Sequence, residues 1–189
     1  MNRLKTILAL GDSLTEGYGL PTEASFPAVL QRLLRQRGHN VSIINQGLSG
    51  DTAWGGLKRL ERYLATRPRP DAVIVELGAN DAIQLTDPWE VEATLDSLLQ
   101  RLAEEEIPAL LAGMRPLVPA DEEYVRAFEG LFPKLVERFD PVFYPFFLEG
   151  VLGKPALNLE DGIHPNAEGM TRIAQNILPS VETLLGRIR

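Results

Sequence analysis

Ser13, Asp161, His164 and Asn80 carry the side chains that acyl transfer requires. A serine hydroxyl is a weak nucleophile until a neighbouring base takes its proton. In Asp161-Gly162-Ile163-His164 a carboxylate precedes an imidazole by three residues, so one turn of chain can fold it back onto Nδ1–H. That leaves Nε2 to accept the serine proton. The Asn80 amide and the backbone N–H of Gly47 are donors of the kind that hold an oxyanion. Each piece also has a plain structural use. Ser13 can cap a helix, Asp161-Gly162 is a common turn, Asn80-Asp81 can start a helix, and Gly47 can be a turn glycine.

These residues act together only if the fold gathers them. Thr6 to Leu10 is a short apolar run that reads as a strand buried on both faces, broken by Gly11-Asp12-Ser13. Val41 to Asn45, Asp71 to Leu77, Ala109 to Ala112 and Val142 to Tyr144 read as four further strands. Between them lie helical patterns: one capped at Ser25 and ended by Gly38, one from Ala53 to about Leu64, and one opened by Asp87-Pro88-Trp89-Glu90. Another runs from about Asp121 to Phe139. A last helix begins near Asn166, with a kink expected at Pro179. His39 follows a helix end, where the dipole favours a structural imidazole.

Strands alternating with helices predict an α/β fold, a three-layer α/β/α sandwich on a five-stranded, mostly parallel sheet, with residues 1–189 as one domain. Right-handed crossovers place the strand C-terminal ends on one edge, where α/β sheets bind ligands. Ser13, Gly47 and Asn80 all fall just past predicted strand ends.

Bulk properties remove several other classes. The 189 residues are 44% hydrophobic and 24% charged, as in one ordinary globular domain. A net charge of −7 without a basic run argues against nucleic-acid binding. With no Cys and only two His, thiolate and His-rich metal centres are not expected. No stretch approaches the ~20 apolar residues of a membrane span. Met1 to Leu10 is shorter in its apolar run than a signal peptide and reads as a strand. The expected compartment is cytoplasmic as the chain stands, and periplasmic or secreted if a signal peptide has been removed.

Taken in order, Gly11-Asp12-Ser13-Leu14, Gly47-Leu48-Ser49-Gly50-Asp51-Thr52, Gly78-Ala79-Asn80-Asp81 and Asp161-Gly162-Ile163-His164-Pro165 resemble the four blocks of the SGNH, or GDSL-type, hydrolases. Pro145-Phe146-Phe147-Leu148-Glu149-Gly150-Val151 is similar to the small arylesterase and thioesterase I/lysophospholipase L1 branch. The resemblance implies a flavodoxin-like sandwich and a triad of Ser13 as nucleophile, His164 as base then acid, and Asp161 as its orienter. It also implies an oxyanion hole of the Ser13 and Gly47 amides with the Asn80 side chain. Such chemistry needs neither metal nor cofactor. The implied partner is a small ester or thioester, with short-to-medium acyl or aryl esters favoured and lysophospholipids in range. No oligomeric state follows.

Ile83, Met114, Leu117, Pro145, Phe146 and Ile163 flank the predicted edge and are the candidate acyl-pocket residues, with plain core packing the other reading of Phe146. The α/β-hydrolase elbow G-x-S-x-G is absent around Ser13. Asp12 is expected to brace the turn. A carbohydrate acetylesterase is the rival within this chemistry. A phospho-signalling or flavin-binding module, with Asp12 as phospho-acceptor, is the rival outside it, but it leaves Asn80 and His164 without a role.

Overall fold

The computed structural model describes residues 3–189. The apolar runs form β1 (Lys5–Gly11), β2 (Val41–Gly47), β3 (Ala72–Glu76), β4 (Ala109–Ala112) and β5 (Val142–Tyr144). They make one sheet in the order β2-β1-β3-β4-β5, and every pairing is parallel rather than only most of them. Central strands bury both faces, so Ile7, Leu8, Val73 and Ile74 are all fully covered.

The helices are α1 (Ser13–Glu16), α2 (Phe26–Gln36), α3 (Ala53–Thr66), α4 (Ala79–Ile83), α5 (Pro88–Glu104), α6 (Glu122–Phe139) and α7 (Ala167–Gly186). One layer pairs α2 with α7, and the other stacks α3 on α5 and α5 on α6. The short helices α1 and α4 are additions to the sequence reading, since four or five residues carry no period. Pro133 lies inside α6, where a proline costs ~3 kcal/mol. Burial of Phe128, Leu131, Phe132 and Leu135 on that helix, at roughly 1.5–3 kcal/mol each, outweighs it. Pro179 is likewise carried within α7, which runs on without a break. Ser25 does precede α2, but its Oγ donates to the Thr22 carbonyl (2.7 Å) instead of accepting from a helix amide. His39 has the structural surroundings expected of it, with Nε2 3.1 Å from Glu182 Oε1 on α7.

Side chains take up backbone groups of β2 that β1 leaves open. Gln31 Oε1 accepts from Ile43 N–H (2.7 Å), and Arg35 Nε donates to the Val41 carbonyl (2.9 Å). At the opposite edge of the sheet, β5 is only three residues long. No helix among the described residues is long and apolar enough to cross a membrane.

Candidate active site

The chain leaves β1 at Gly11 and enters α1 at once, with Asp12 as N-cap: its Oδ1 accepts from Leu14 N–H at 2.9 Å. Ser13 is therefore the first residue of a helix, where its own N–H has no intrahelical acceptor. Its Oγ lies 2.9 Å from His164 Nε2. The other ring nitrogen, Nδ1, lies 2.6 Å from Asp161 Oδ2. The predicted one-turn fold-back is what forms: Asp161 Oδ1 accepts from the Ile163 and His164 amides at 2.9 Å each. Desolvation opposes ionisation of Asp161. The bonds from the His164 amide and ring and the Ile163 amide prevail, and hold it below the usual carboxylate range. An ionised Asp161 can only accept, so Nδ1 carries the proton and Nε2 is left free to take one.

Beneath this turn lie two acids: Asp12, which braces it as expected, and Glu76, which sequence reasoning did not assign. Asp12 is fully buried, and burial pushes its pKa up from 3.8 to about 7 against the Leu14 hydrogen bond, with the charges of Asp81 and Asp51 adding to the rise. A buried carboxyl of this kind has no access to a phospho-donor, which disposes of the phospho-acceptor reading. Glu76, at the end of β3, is also fully buried and is raised well above its usual range, first by burial and then by the Asp12 charge. Its Oε2 accepts from Thr15 Oγ at 2.7 Å, and its Oε1 has no hydrogen-bond partner among the described residues. The only available sign of this in the sequence is a carboxylate ending the otherwise apolar run Ala72 to Val75.

These shifts predict a pH dependence. The folded state holds the Asp12 proton more tightly than the unfolded chain. The resulting stabilisation is complete below pH 3.8 and is lost as pH rises to about 7. One such proton contributes a slope of ~1.4 kcal/mol per pH unit within that window. Urea unfolding from pH 4 to 8 should give a smaller downward slope for Asp12→Asn than for the wild type, whatever the variant's baseline.

Gly47 differs from expectation. It is the last residue of β2, not a turn residue beyond it, and its N–H donates to Asn45 Oδ1 at 2.9 Å. Its missing side chain serves close packing: a Cβ there would lie 2.1 Å from Glu16 N and 2.5 Å from Glu16 Cα. Gly47→Ala should thus lose about 3 kcal/mol of stability in urea unfolding, because backbone and not a flexible side chain must yield. The open amide on this turn is that of Gly50, which has φ +81°, free space around it and no acceptor for its N–H among the described residues. Sequence reasoning passed over it, although it is the second glycine of the same block.

Asn80, on the first turn of α4, points its Nδ2 at the Asp51 carbonyl (2.8 Å) and, less closely, at Asp12 Oδ2 (3.1 Å). It thereby joins the Gly50-Asp51 turn to the residue before Ser13. Arg59, another residue the sequence did not single out, ties the same pieces from behind. Its Nε meets Asp51 Oδ2 at 2.6 Å, one Nη donates to the Gly11 carbonyl at 2.8 Å, and the other donates to the Gln46 carbonyl.

The candidate acyl-pocket residues divide. Ile83 is 40% exposed, and Pro145 is exposed as well. Leu117 and Ile163 are half-buried. Met114 and Phe146 are buried instead: at 1% and 6% exposure both pack into the hydrophobic core, the other reading that Phe146 carried. The outer face of Phe146 is covered by the Arg115 guanidinium, 4.7 Å from the ring centroid.

A site so arranged can be set against known proteins. Residues 9–172 match the model of the GDSL-like lipase/acylhydrolase family. Esterase TesA of Pseudomonas aeruginosa is 34% identical over 181 residues, 96% of this chain and 90% of that protein. Thioesterase 1/protease 1/lysophospholipase L1 of Escherichia coli K12 is 36% identical over 180 residues, 95% of this chain and 85% of that protein. The crystal structure of AlinE4, an SGNH-hydrolase family esterase, superposes with a TM-score of 0.81 at 41% identity, covering 98% of each chain.

Proposed function

The chain belongs to the GDSL-like lipase/acylhydrolase family, and on that premise we propose that it is a serine esterase whose triad is Ser13, His164 and Asp161. The single observation that carries the assignment is the unbroken run of contacts from Ser13 Oγ to His164 Nε2 and from Nδ1 to Asp161 Oδ2. Ser13 Oγ attacks the ester carbonyl carbon while its proton passes to Nε2, and the carbonyl oxygen takes up the negative charge. The tetrahedral centre collapses, and the alcohol or thiol leaves with the proton from Nε2. Water then attacks the acyl-enzyme by the same route, releasing the acid and restoring the Ser13 hydroxyl.

For the oxyanion we assign the Ser13 amide, the Asn80 side chain and, in place of Gly47, the Gly50 amide. Support comes from the Ser13 and Gly50 N–H groups having no acceptor among the described residues. Asn80 must turn one hydrogen toward substrate, and its 3.1 Å contact with Asp12 is the weaker of its two to give up. Asn80→Ala should lower kcat by about 10²–10³ with little change in KM.

The substrates we assign are short-to-medium acyl or aryl esters, with thioesters and lysophospholipids as further members of the class. Ile83, Pro145, Leu117 and Ile163 are the surfaces offered to the acyl group. A p-nitrophenyl ester series from acetate to palmitate, run beside palmitoyl-CoA and a lysophosphatidylcholine, tests this. A kcat/KM that peaks at C2–C10 esters supports the assignment, and a preference for the C16 substrates overturns it.

A further inference from the structure

We propose that Tyr18 is a positioning residue for the base: its ring is a wall that holds the His164 imidazole on the Ser13 hydroxyl. The inference rests on the triad assigned above. The two ring centroids are 4.4 Å apart with the planes inclined by 35°. The two halves of the triad come from segments more than 140 residues apart in sequence, and the His164 half is the exposed one. Its base is fastened, with Leu159 N–H donating to the His164 carbonyl at 2.7 Å and a bridge pairing Asn158 with Pro165. Its tip reaches the surface, where the Asp161 and His164 side chains are 39% and 20% exposed.

A hydrogen bond through Nδ1 fixes the ring along one direction and leaves it free to tilt about that axis. A contact on the ring face removes that freedom, and Tyr18 supplies it. The wall also moves with the nucleophile, because the Tyr18 and Gly17 amides both donate to the Ser13 carbonyl, at 3.1 and 3.0 Å. Nucleophile and ring support are thus one turn of chain, with the αL residue Gly17 at its end. Leu159 lies over Gly19 beside it and makes a second contact between the segments.

Charge gives the contact a further use. Once the Ser13 proton reaches Nε2 the ring is an imidazolium, and an aromatic face attracts a cation more than a neutral ring. The attraction therefore grows toward the transition state, which is the condition for a contact to raise kcat and not merely to tighten binding.

Tyr18→Phe, Tyr18→Leu and Tyr18→Ala test the inference, each assayed with p-nitrophenyl acetate for kcat and KM and by thermal unfolding for Tm. Phe keeps the ring and should stay within about twofold of wild type. Leu keeps bulk without the ring, and it should lose about tenfold in kcat, as should Ala, with KM and Tm unchanged. In a His164→Ala background the Tyr18→Leu loss should vanish, since there is no ring left to hold. Leu matching Phe, a loss confined to KM, or an undiminished Tyr18→Leu loss in the His164→Ala background would each overturn the proposal. A His164→Ala variant with wild-type kcat would instead refute the triad on which it rests, so the two failures are distinguishable.

Discussion

Ser13→Ala is expected to lower kcat on p-nitrophenyl acetate by about 10⁴–10⁶ while leaving the fold intact. The size follows from what the hydroxyl does: without it no acyl-enzyme forms, and only the donors around the carbonyl remain to assist water. The fold should survive because Asp12, not Ser13, caps α1, and the Ser13 side chain makes its one bond to His164. A fluorophosphonate should add its mass to the wild-type peptide containing Ser13 and to no peptide of the variant. Esterase activity persisting in Ser13→Ala, at a level that resists repurification, would refute the assignment.

The second large effect is expected at Asp161. Asp161→Asn preserves size and can still accept from the Ile163 and His164 amides. It also turns an N–H donor toward Nδ1, which must then accept. The remaining ring proton moves to Nε2, and the ring can no longer take the proton of Ser13. A loss of about 10⁴ in kcat follows from that wrong tautomer. Asp161→Ala should lose less, because Asp161 is exposed enough for water to replace its carboxylate and leave the ring free to adopt the right tautomer. Combining Asp161→Asn with Ser13→Ala should cost no more than Ser13→Ala alone, as expected of residues that act as a unit. Equal activity of the Asn and Ala variants at neutral pH would count against the orienting role.

How much of this could be read beforehand depends on whether a residue's job is set by local chain or by its neighbours in space. The Asp161–His164 contact is local, a one-turn fold-back written into a four-residue spacing. Ser13 and Asn80 were legible because strands followed by turns put them on a common edge. The direction of an amide is another matter: Gly47 and Gly50 stand three residues apart in one glycine-containing block. Only the packing of Gly47 on Glu16, and the turn of Asn45 Oδ1 toward it, decides which N–H stays open. The same holds for depth. Met114 and Phe146 flank the edge in sequence yet point into the core, and nothing in Gly113-Met114-Arg115 distinguishes the two directions. Glu76 and Arg59 matter through partners that are distant along the chain, as with the Thr15 bond to Glu76 and the Arg59 bond to the Gly11 carbonyl. No spacing rule announces such a bond.

The side chains that close the outer margin of β2 bear on how this protein behaves in a crowd. A bare strand margin is a template on which another molecule can lay down a strand of its own, and growth from there leads to insoluble fibres. Here Gln31 and Arg35 reach over from α2 and occupy part of that template, and Asn45 occupies the Gly47 position. Since Gln31 and Arg35 are donated by a helix, the protection lasts as long as α2 stays docked. Aggregation from this side should begin with the peeling away of that helix, well before the sheet itself gives way.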